Sequence, residues 1–209
     1  MLNIAIITNK PTSQIKTLQT LQCPQPHRIT LSRAKGFSNA RNAAITIGGL
    51  NIQLNDDLIL TPKLWEFAQT IKPGEFAFQL AHEATGDRPC SRVFMIYPED
   101  FYIAQGFDKD LNYFFEDGDF YYRALSKGLK FRAVPDEAAI HIPHKHAFYK
   151  PKPKAEFEAA KIYVKYGQLM MPFKHIDRFF IPFRDYKVAL QHFVLRTTFI
   201  IYWILKGVD

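Results

Sequence analysis

The sequence is poor in cysteine and has no long uninterrupted apolar run. Its two cysteines, Cys23 and Cys90, provide neither a disulfide framework nor the spacing of a zinc site, which favours a reducing compartment such as the cytoplasm. The segment before residue 8 has no basic stretch or cleavage site, so we expect a first strand rather than a signal peptide. The apolar stretch 199–205 is shorter than the roughly 20 residues of a spanning helix.

The composition is that of a globular protein. Hydrophobic residues make up 47% of the 209 residues and charged residues 22%, which excludes an intrinsically disordered chain. A chain of this length accommodates one ordinary domain with an extension.

The positive charge is concentrated in the C-terminal third. Residues 1–141 contain fifteen Lys or Arg and fifteen Asp or Glu, whereas residues 142–209 contain twelve and five, which is the whole net charge of +7. The same C-terminal segment holds fourteen of the thirty-one aromatic residues. A neutral body with a basic, aromatic tail predicts that the tail contacts something anionic.

Strand-like and helix-like patterns alternate along residues 1–141, which predicts an α/β sheet layered with helices. We expect a domain over 1–147 and a helical C-terminal extension over 148–209. Strands are predicted at 2–8, 28–31, 51–54, 76–80, 91–96 and 130–134, with a polar loop at 82–89. Helices are predicted at 13–21, at 38–45 with Gly48-Gly49 in the C-cap role, from Pro62 behind Thr61, and at 120–127, 155–166 and 186–206.

Two acidic clusters and a histidine carry the chemistry. An apolar strand ends in Asn55-Asp56-Asp57, and two carboxylates at a strand end are costly to bury unless something positive sits there. A second cluster lies at 116–119 (EDGD), and His141 follows. These groups suit a metal site together with a carboxylate that takes a proton. The plain alternative is a helix cap and a solvated turn for the first cluster, and helix capping with a solvated acidic face for the second.

Four segments in order resemble the motifs of family 2 glycosyltransferases, inverting enzymes with the GT-A fold and nucleotide-sugar donors. Residues 36–42 (GFSNARN) resemble the glycine-to-Ala-Arg-Asn segment, and residues 54–57 (LNDD) resemble the metal-binding "DxD" strand end. Residues 106–108 (GFD) and 115–119 (FEDGD) with Arg123 resemble the acceptor-side block "GGFDE … EDxDxxxR". Pro135 followed by His141 resembles the "PxxxxxH" ending. The implied fold is a Rossmann-type mixed sheet flanked by helices.

The resemblance assigns roles to individual residues. It implies Asp57 and His141 as metal ligands, and an imidazole ligand suits Mn²⁺ better than Mg²⁺. It implies Asp117 as the base that deprotonates the acceptor hydroxyl, with Glu116 and Asp119 raising the pKa of Asp117.

Donor contacts are expected from residues beside the metal motif and along the first helix of the resemblance. Arg41 is expected to reach the diphosphate or the acidic cluster, an exposed helical arginine being the alternative. Asp56 is expected beside the metal or against the ribose or phosphates. The remaining donor-binding candidates are Thr8, Asn9, Asn42 and Asn55.

One family feature is missing. A second strand ending in Asp-Asp-Gly-Ser, whose aspartate contacts the nucleotide base, is absent between residue 23 and Gly36. Nucleotide choice is therefore open, and a shortened, non-catalytic GT-A-like binding module is the competing interpretation.

The expected partners follow from the motifs and the tail. The resemblance implies a nucleotide-sugar donor and a glycan, lipid-linked or protein acceptor. Segment 186–206 is predicted to lie on an anionic membrane, peripheral at its inner face, or to pack on the domain or in a homodimer. Nucleic-acid binding by interleaved basic and aromatic residues is a third alternative, less compatible with the long Phe/Ile stretches.

Overall fold

A computed structural model of the 209-residue chain describes residues 1–83, 86–111, 115–142, 153–166 and 186–207. The elements in order are β1 (Leu2–Ile7), α1 (Lys16–Gln19), β2 (His27–Ser32), α2 (Phe37–Ala43), β3 (Leu50–Asn55), β4 (Leu58–Leu60), α3 (Pro62–Ala68), β5 (Glu75–Glu83), β6 (Gly86–Ile96), α4 (Pro98–Ile103), α5 (Glu116–Ser126), β7 (Lys130–Val134), β8 (Ala139–His141), α6 (Pro153–Tyr166) and α7 (Tyr186–Lys206).

Six strands form one mixed sheet in the order β2-β1-β3-β6-β5-β7. The pairs β1–β2, β1–β3 and β5–β7 are parallel, whereas β6 is antiparallel to both of its neighbours. Five strands therefore point in one direction and β6 in the other. The predicted α/β class, a mixed sheet flanked by helices, is confirmed.

The central strands of the sheet are buried on both faces because apolar side chains occupy both sets of their alternating positions, whereas the edge strands β2 and β7 are exposed or half-buried along most of their length. Along β5, Ala77 faces a core formed with α3, where Leu64 and Trp65 are fully packed. Phe76 and Phe78 face the opposite core, which packs against α4 and α5. Each layer of helices is thus fixed to the sheet by its own apolar cluster.

The second core is aromatic and centres on Phe120 of α5. Its ring lies 4.8 Å from the Phe107 ring and 5.1 Å from the Phe94 ring, centroid to centroid. Phe101 of α4 stacks on it at 5.7 Å. This packing fixes the N-terminal turn of α5, which carries the acidic cluster, against the sheet.

A small two-stranded sheet brings distant segments together. Strand β4 pairs antiparallel with β8, so that Leu58 lies opposite His141 and Leu60 opposite Ala139. The amide of Ile142 also donates to the carbonyl of Asp57 at 3.0 Å. The end of β8 therefore lies directly beside the residues that follow β3.

Several local predictions were wrong in their bounds. Ile15 is fully buried and extended, so it divides the predicted helix 13–21 into a 3-10 turn and the short α1. Helix α2 ends at Ala43, well before the predicted cap, and Gly48-Gly49 instead form the turn into β3. Gly49 is required there, since a Cβ at this position would lie 2.2 Å from the carbonyl oxygen of Met1.

Other corrections concern β5, β6, α4 and α5. The predicted polar loop 82–89 largely continues the β5–β6 hairpin, where residue 82 pairs with 87 and 83 with 86. Helix α4 was not predicted. Helix α5 begins at Glu116, four residues earlier than predicted, because its acidic first turn favours a helix N-terminus rather than a loop.

The two described helices of the C-terminal extension, α6 and α7, pack on each other. The Phe157 ring lies 4.8 Å from the Trp203 ring, and the indole Nε1 of Trp203 donates to the carbonyl of Phe157 at 3.1 Å. Both predicted helices are confirmed. The predicted domain boundary at 147/148 lies outside the described residues. No described helix is long and apolar enough to cross a membrane.

Candidate active site

The candidate site lies where the chain reverses its direction of winding. The chain runs from β1 outward to β2 and then returns to β3 on the other side of β1. In open α/β sheets a crevice forms at such a point, outside the carboxyl ends of the two diverging strands. Here those ends carry Thr8, Asn9 and Lys10 after β1, and Asp56 and Asp57 after β3.

Asp57 and His141 lie side by side at this edge. The Nε2 of His141 is 3.2 Å from the Oδ2 of Asp57, and both side chains are largely buried. The contact follows from the β4–β8 pairing, which places residue 141 opposite the residue after Asp57. The structure therefore brings together the two predicted metal ligands, 84 residues apart in the sequence.

The fit of this pair to a divalent cation can be tested from its geometry. Two ligands about 2.1 Å from one cation and at right angles to it are about 3 Å apart, close to the observed 3.2 Å. Among the described residues there is no cluster of three or more His, Cys, Asp or Glu side chains suited to a metal. The donor set thus fits a cation that also takes phosphate oxygens from a substrate.

Asp56 turns to the other side, towards β1. Its Oδ2 accepts a hydrogen bond from Thr8 Oγ1 at 2.6 Å, and its Oδ1 forms an ion pair with Lys10 Nζ at 2.6 Å. Thr8 Oγ1 also accepts the amide of Lys10 at 3.0 Å. Asn9 is exposed at the same edge. The crevice therefore also has a lysine at its edge, Lys10, which was not among the predicted site residues.

Arg41 is buried, not an exposed helical arginine. It is 1% exposed, and its Nη2 donates to the Oδ1 of Asn55 at 2.9 Å. Burial lowers the pKa of the guanidinium, while Glu116 and Asp117 raise it. Within the described part of the chain, its Nε and Nη1 lack a hydrogen-bond partner. Arg41 therefore lies within electrostatic reach of the acidic cluster, one of its two predicted targets, and its contact with a diphosphate stays a prediction.

Glu116 and Asp117 are held by an irregular stretch of β6. The pairing of β5 with β6 jumps from Phe78–Phe94 to Gln79–Cys90, which leaves residues 91–93 as a bulge. From this bulge the Ser91 amide donates to Asp117 Oδ2 at 3.3 Å, and the Ser91 hydroxyl donates to Glu116 Oε1 at 3.2 Å. The amide of Gly118 donates to the second oxygen of Asp117 at 2.8 Å.

The raised pKa in this cluster belongs to Glu116. Burial and then the charge of Asp117 raise the pKa of Glu116 from 4.5 to about 7, although Arg41 acts in the opposite direction. Glu116 is 5% exposed and Asp117 7% exposed. Two carboxyl groups with one buried guanidinium beside them can therefore hold a proton near neutral pH.

Asp119 is committed to a different set of partners. Its Oδ2 pairs with Arg123 Nη2 at 2.6 Å, one turn further along α5. Its Oδ1 accepts the Tyr166 hydroxyl at 2.6 Å and lies 3.4 Å from Lys165 Nζ. Asp119 is fully buried. It joins α5 to α6, and its charge is balanced by cations rather than directed at Asp117.

Asn42 makes structural contacts. Its carboxamide donates to the carbonyl of Phe107 and accepts the amide of Phe107, both at 2.8 Å. This pair fixes the 105–110 loop, which with Asn42, Phe101 and Tyr102 lines a cleft of about 480 Å³. Arg123 holds the same loop by donating to the carbonyls of Ala104 and Gly106.

The predicted site residues thus fall into three linked groups. Thr8 and Asp56 form one, Asp57 and His141 the second, and Arg41 with Asn55 and Asp117 the third. Asn55 joins the second and third groups, because it lies two residues before Asp57 and accepts from Arg41. Asn42 contacts the 105–110 loop instead, and Asn9 is exposed.

The sequence analysis missed Lys10 and Ser91. Lys10 follows a strand end directly and could have been found from its position. Ser91 could not, because only the bulge in β6 brings it to the acidic pair.

No protein-family model and no curated protein gives a significant match to this sequence. Solved structures do match in fold. The mannosyltransferase PcManGT from Pyrobaculum calidifontis, in complex with GDP-Man and Mn²⁺, has a TM-score of 0.56 at 10% identity, covering 100% of this chain and 76% of that chain. The catalytic domain of Drosophila β1,4-galactosyltransferase 7, in complex with xylobiose, has a TM-score of 0.55 at 11% identity, covering 76% of this chain and 79% of that one.

At these identities the likeness concerns the fold alone. Both structures are glycosyltransferases of the GT-A type, and the sheet of this chain with its flanking helices matches theirs. The predicted GT-A fold is confirmed.

Proposed function

We propose that this chain is a metal-dependent, inverting glycosyltransferase of the family 2 type. It moves a sugar from a nucleotide diphosphate to the hydroxyl of a glycan, lipid-linked or protein acceptor. One observation carries the proposal. The Asp57–His141 pair lies at the carboxyl edge of a GT-A sheet, and the adjoining residue Asn55 contacts Arg41. Arg41 in turn lies beside the acidic residues Glu116 and Asp117.

Asp57 and His141 are the residues that would hold a divalent cation, with Mn²⁺ favoured over Mg²⁺ by the imidazole. A cation bound there supplies fixed positive charge to the leaving diphosphate. Thr8, Asn9 and Asp56 line the adjoining edge for the nucleotide. Lys10 places an ammonium group at the same crevice, where it is paired with Asp56.

Asp117 acts as the general base of the transfer. Its carboxylate takes the proton of the acceptor hydroxyl as that oxygen attacks the anomeric carbon from the side opposite the diphosphate. The bond between the anomeric carbon and the diphosphate oxygen breaks, and its electron pair leaves with the diphosphate. Hydrogen bonds from the amides of Ser91 and Gly118 fix the orientation of the carboxylate.

Two substitutions separate donor binding from transfer. We expect Asp57→Ala to abolish the Mn²⁺-dependent part of the binding of UDP, GDP or dTDP sugars, measured by calorimetry. We expect Asp117→Asn to bind the donor normally and to lower the transfer rate at least about a hundredfold, the usual scale of a lost general base.

The matched control is Asp136→Ala, which removes an exposed carboxylate close in sequence to β8. This variant should keep both donor binding and transfer. Transfer by the Asp117→Asn protein at the wild-type rate would rule out the base assignment, while metal-dependent donor binding by Asp57→Ala would rule out the metal site.

A non-catalytic binding module is the second candidate, and the end of β2 favours it. The strand ends at Ser32, and the next residues are Arg33, Ala34 and Lys35 instead of the Asp-Asp-Gly-Ser segment. Arg33 Nη1 donates to the carbonyl of Lys10 at 2.6 Å. A thermal-shift panel of nucleotide diphosphates with Mn²⁺ distinguishes the two candidates: an unchanged melting temperature with every nucleotide supports the module.

A further inference from the structure

Helix α7 exposes several large apolar side chains on one side. Val194 and Ile201 are each 53% exposed, Ile204 is 62% and Leu205 82% exposed. At 3.6 residues per turn, positions 194, 201 and 205 fall on one side of the helix and 204 at its margin. We call these four residues the apolar stripe. Exposed apolar patches of this kind on soluble proteins mark interaction sites.

The stripe is exposed because the opposite face of α7 is already occupied. Trp203 is 3% exposed and packs on Phe157 of α6, and the Phe199 ring lies 5.3 Å from the same phenylalanine ring. The orientation of α7 about its axis is therefore fixed by α6. An occupant of the stripe must lie along the outer side of the α6–α7 pair.

The net charge of the helix, read from its sequence, identifies the occupant. Helix α7 contains Lys187, Arg196 and Lys206 and no acidic residue, within a segment that carries the whole net charge of +7. At its C-terminal end, Lys206 Nζ lies 4.9 Å from the Trp203 ring centroid and 5.8 Å from that of Tyr202. Exposed apolar residues beside a lysine and an exposed tyrosine are typical of helices at the surface of anionic membranes.

A second copy of the chain is a poorer occupant. A two-fold contact through the stripe would place two surfaces of the same positive sign against each other, which opposes association. An anionic surface instead gains from every basic residue nearby. Because one face of α7 is held by α6, the helix can lie on a bilayer but cannot cross it.

We propose that α7 is a membrane-surface anchor whose apolar stripe inserts at the headgroup level of an anionic bilayer. The 21 residues of the helix extend over about 31 Å parallel to that surface. The anchor stands independently of the proposed sugar transfer. If both hold, it keeps the crevice close to lipid-linked or membrane-proximal acceptors.

The test is co-sedimentation of the full chain with vesicles of phosphatidylcholine alone and of phosphatidylcholine mixed with phosphatidylglycerol. We expect wild type to bind the mixed vesicles and to be released by high salt, because salt screens the charge attraction. The double variant Ile201→Ser with Leu205→Ser should bind at least about tenfold more weakly than wild type, because it has lost two large apolar side chains.

Ile47→Ser serves as the matched control, since Ile47 is 76% exposed but lies outside α7, in the segment before β3. It should bind vesicles as wild type does. The double variant should melt like wild type, because both of its side chains are exposed in the fold.

Three outcomes would overturn the proposal. One is a lack of vesicle binding by wild type together with a dimer, seen by light scattering, that the double variant converts to monomer. The others are equal binding to neutral and anionic vesicles, and unchanged binding by the double variant.

Discussion

At the scale of single residues, the burial of Arg41 organises the candidate site. A guanidinium that is 1% exposed needs negative charge nearby, and Glu116 and Asp117 provide it. Its hydrogen bond to Asn55 also explains why the first position of the "DxD"-like segment is an amide. A carboxylate at position 55 would compete with the acidic pair for the same cation.

This competition gives a prediction for Asn55→Asp. The added carboxylate should draw the guanidinium away from Glu116 and Asp117 and leave their negative charge less balanced. We expect kcat to fall about tenfold, with donor affinity changing much less, because the acid pair is disturbed while Asp57 and His141 remain. Steady-state kinetics and calorimetry on one preparation measure both quantities.

Arg41→Met is the companion variant. Loss of the cation leaves two buried carboxyl groups without their counter-charge and should lower the free energy of unfolding by about 3 kcal/mol. An Asn55→Asp protein with wild-type kcat, or an Arg41→Met protein of wild-type stability, would contradict the role assigned to this contact.

Glu116 supplies a second prediction at this scale, concerning pH. Its pKa is about 7 in the folded protein and 4.5 ordinarily, so the folded state holds a proton that the unfolded state has released. The stabilising contribution is complete below about pH 4.5 and is lost as the pH rises through 7. The two pKa values correspond to about 3 kcal/mol of free energy of unfolding at most.

We expect Glu116→Gln to remove this dependence, because the amide stays neutral and can still accept from Ser91. Denaturant titrations of wild type and variant between pH 5 and pH 8.5 measure it. The gain in stability of the variant over wild type should grow with pH. A difference in the free energy of unfolding between variant and wild type that stays constant across this pH range would show that Glu116 does not titrate there.

At the scale of elements, the sequence predicts those whose signals are local. The alternating apolar runs located β1, β3 and β7, and Thr61-Pro62 located the start of α3. The order of the motifs also predicted which distant residues meet, since the His141–Asp57 contact is present. These features depend on periodicity and on strand ends, which are readable along the chain.

Features that arise from tertiary packing were not predictable. The bulge at 91–93 exists because the β5–β6 register shifts, and nothing in the residues around Ser91 announces it. The predicted helix 13–21 is divided at Ile15, because the burial of this extended residue overrides the helical preference of its neighbours. The start of α5 at Glu116 also depends on tertiary contacts, because its carboxylates accept hydrogen bonds from Ser91 of β6 and from Tyr166 of α6.

At the scale of the whole molecule, the C-terminal helices α6 and α7 are tied by charge to the region that contains the six-stranded sheet. Lys161 of α6 is 7% exposed and donates to Asp108 at 2.7 Å and to Asp110 at 3.0 Å. Tyr166 donates to the buried Asp119 at 2.6 Å. Burial raises the pKa of the Tyr166 hydroxyl, and the hydrogen bond to the Asp119 carboxylate raises it further. The two regions predicted as separate, 1–147 and 148–209, therefore share buried polar contacts.

These contacts predict how the molecule unfolds. We expect wild type to melt in a single transition seen equally by near-UV circular dichroism and calorimetry, since α6 cannot leave without exposing Asp119 and Lys161. Lys161→Met with Tyr166→Phe removes the hydrogen bonds to Asp108, Asp110 and Asp119 while keeping similar side-chain volumes, and leaves only the longer Lys165–Asp119 ion pair of 3.4 Å among these ties. Lys63→Met is the control, because its ion pair with Glu137 is exposed and worth little. The double variant should melt in two steps, with the helical pair first, whereas one undisturbed transition would mean that apolar packing alone joins the two parts.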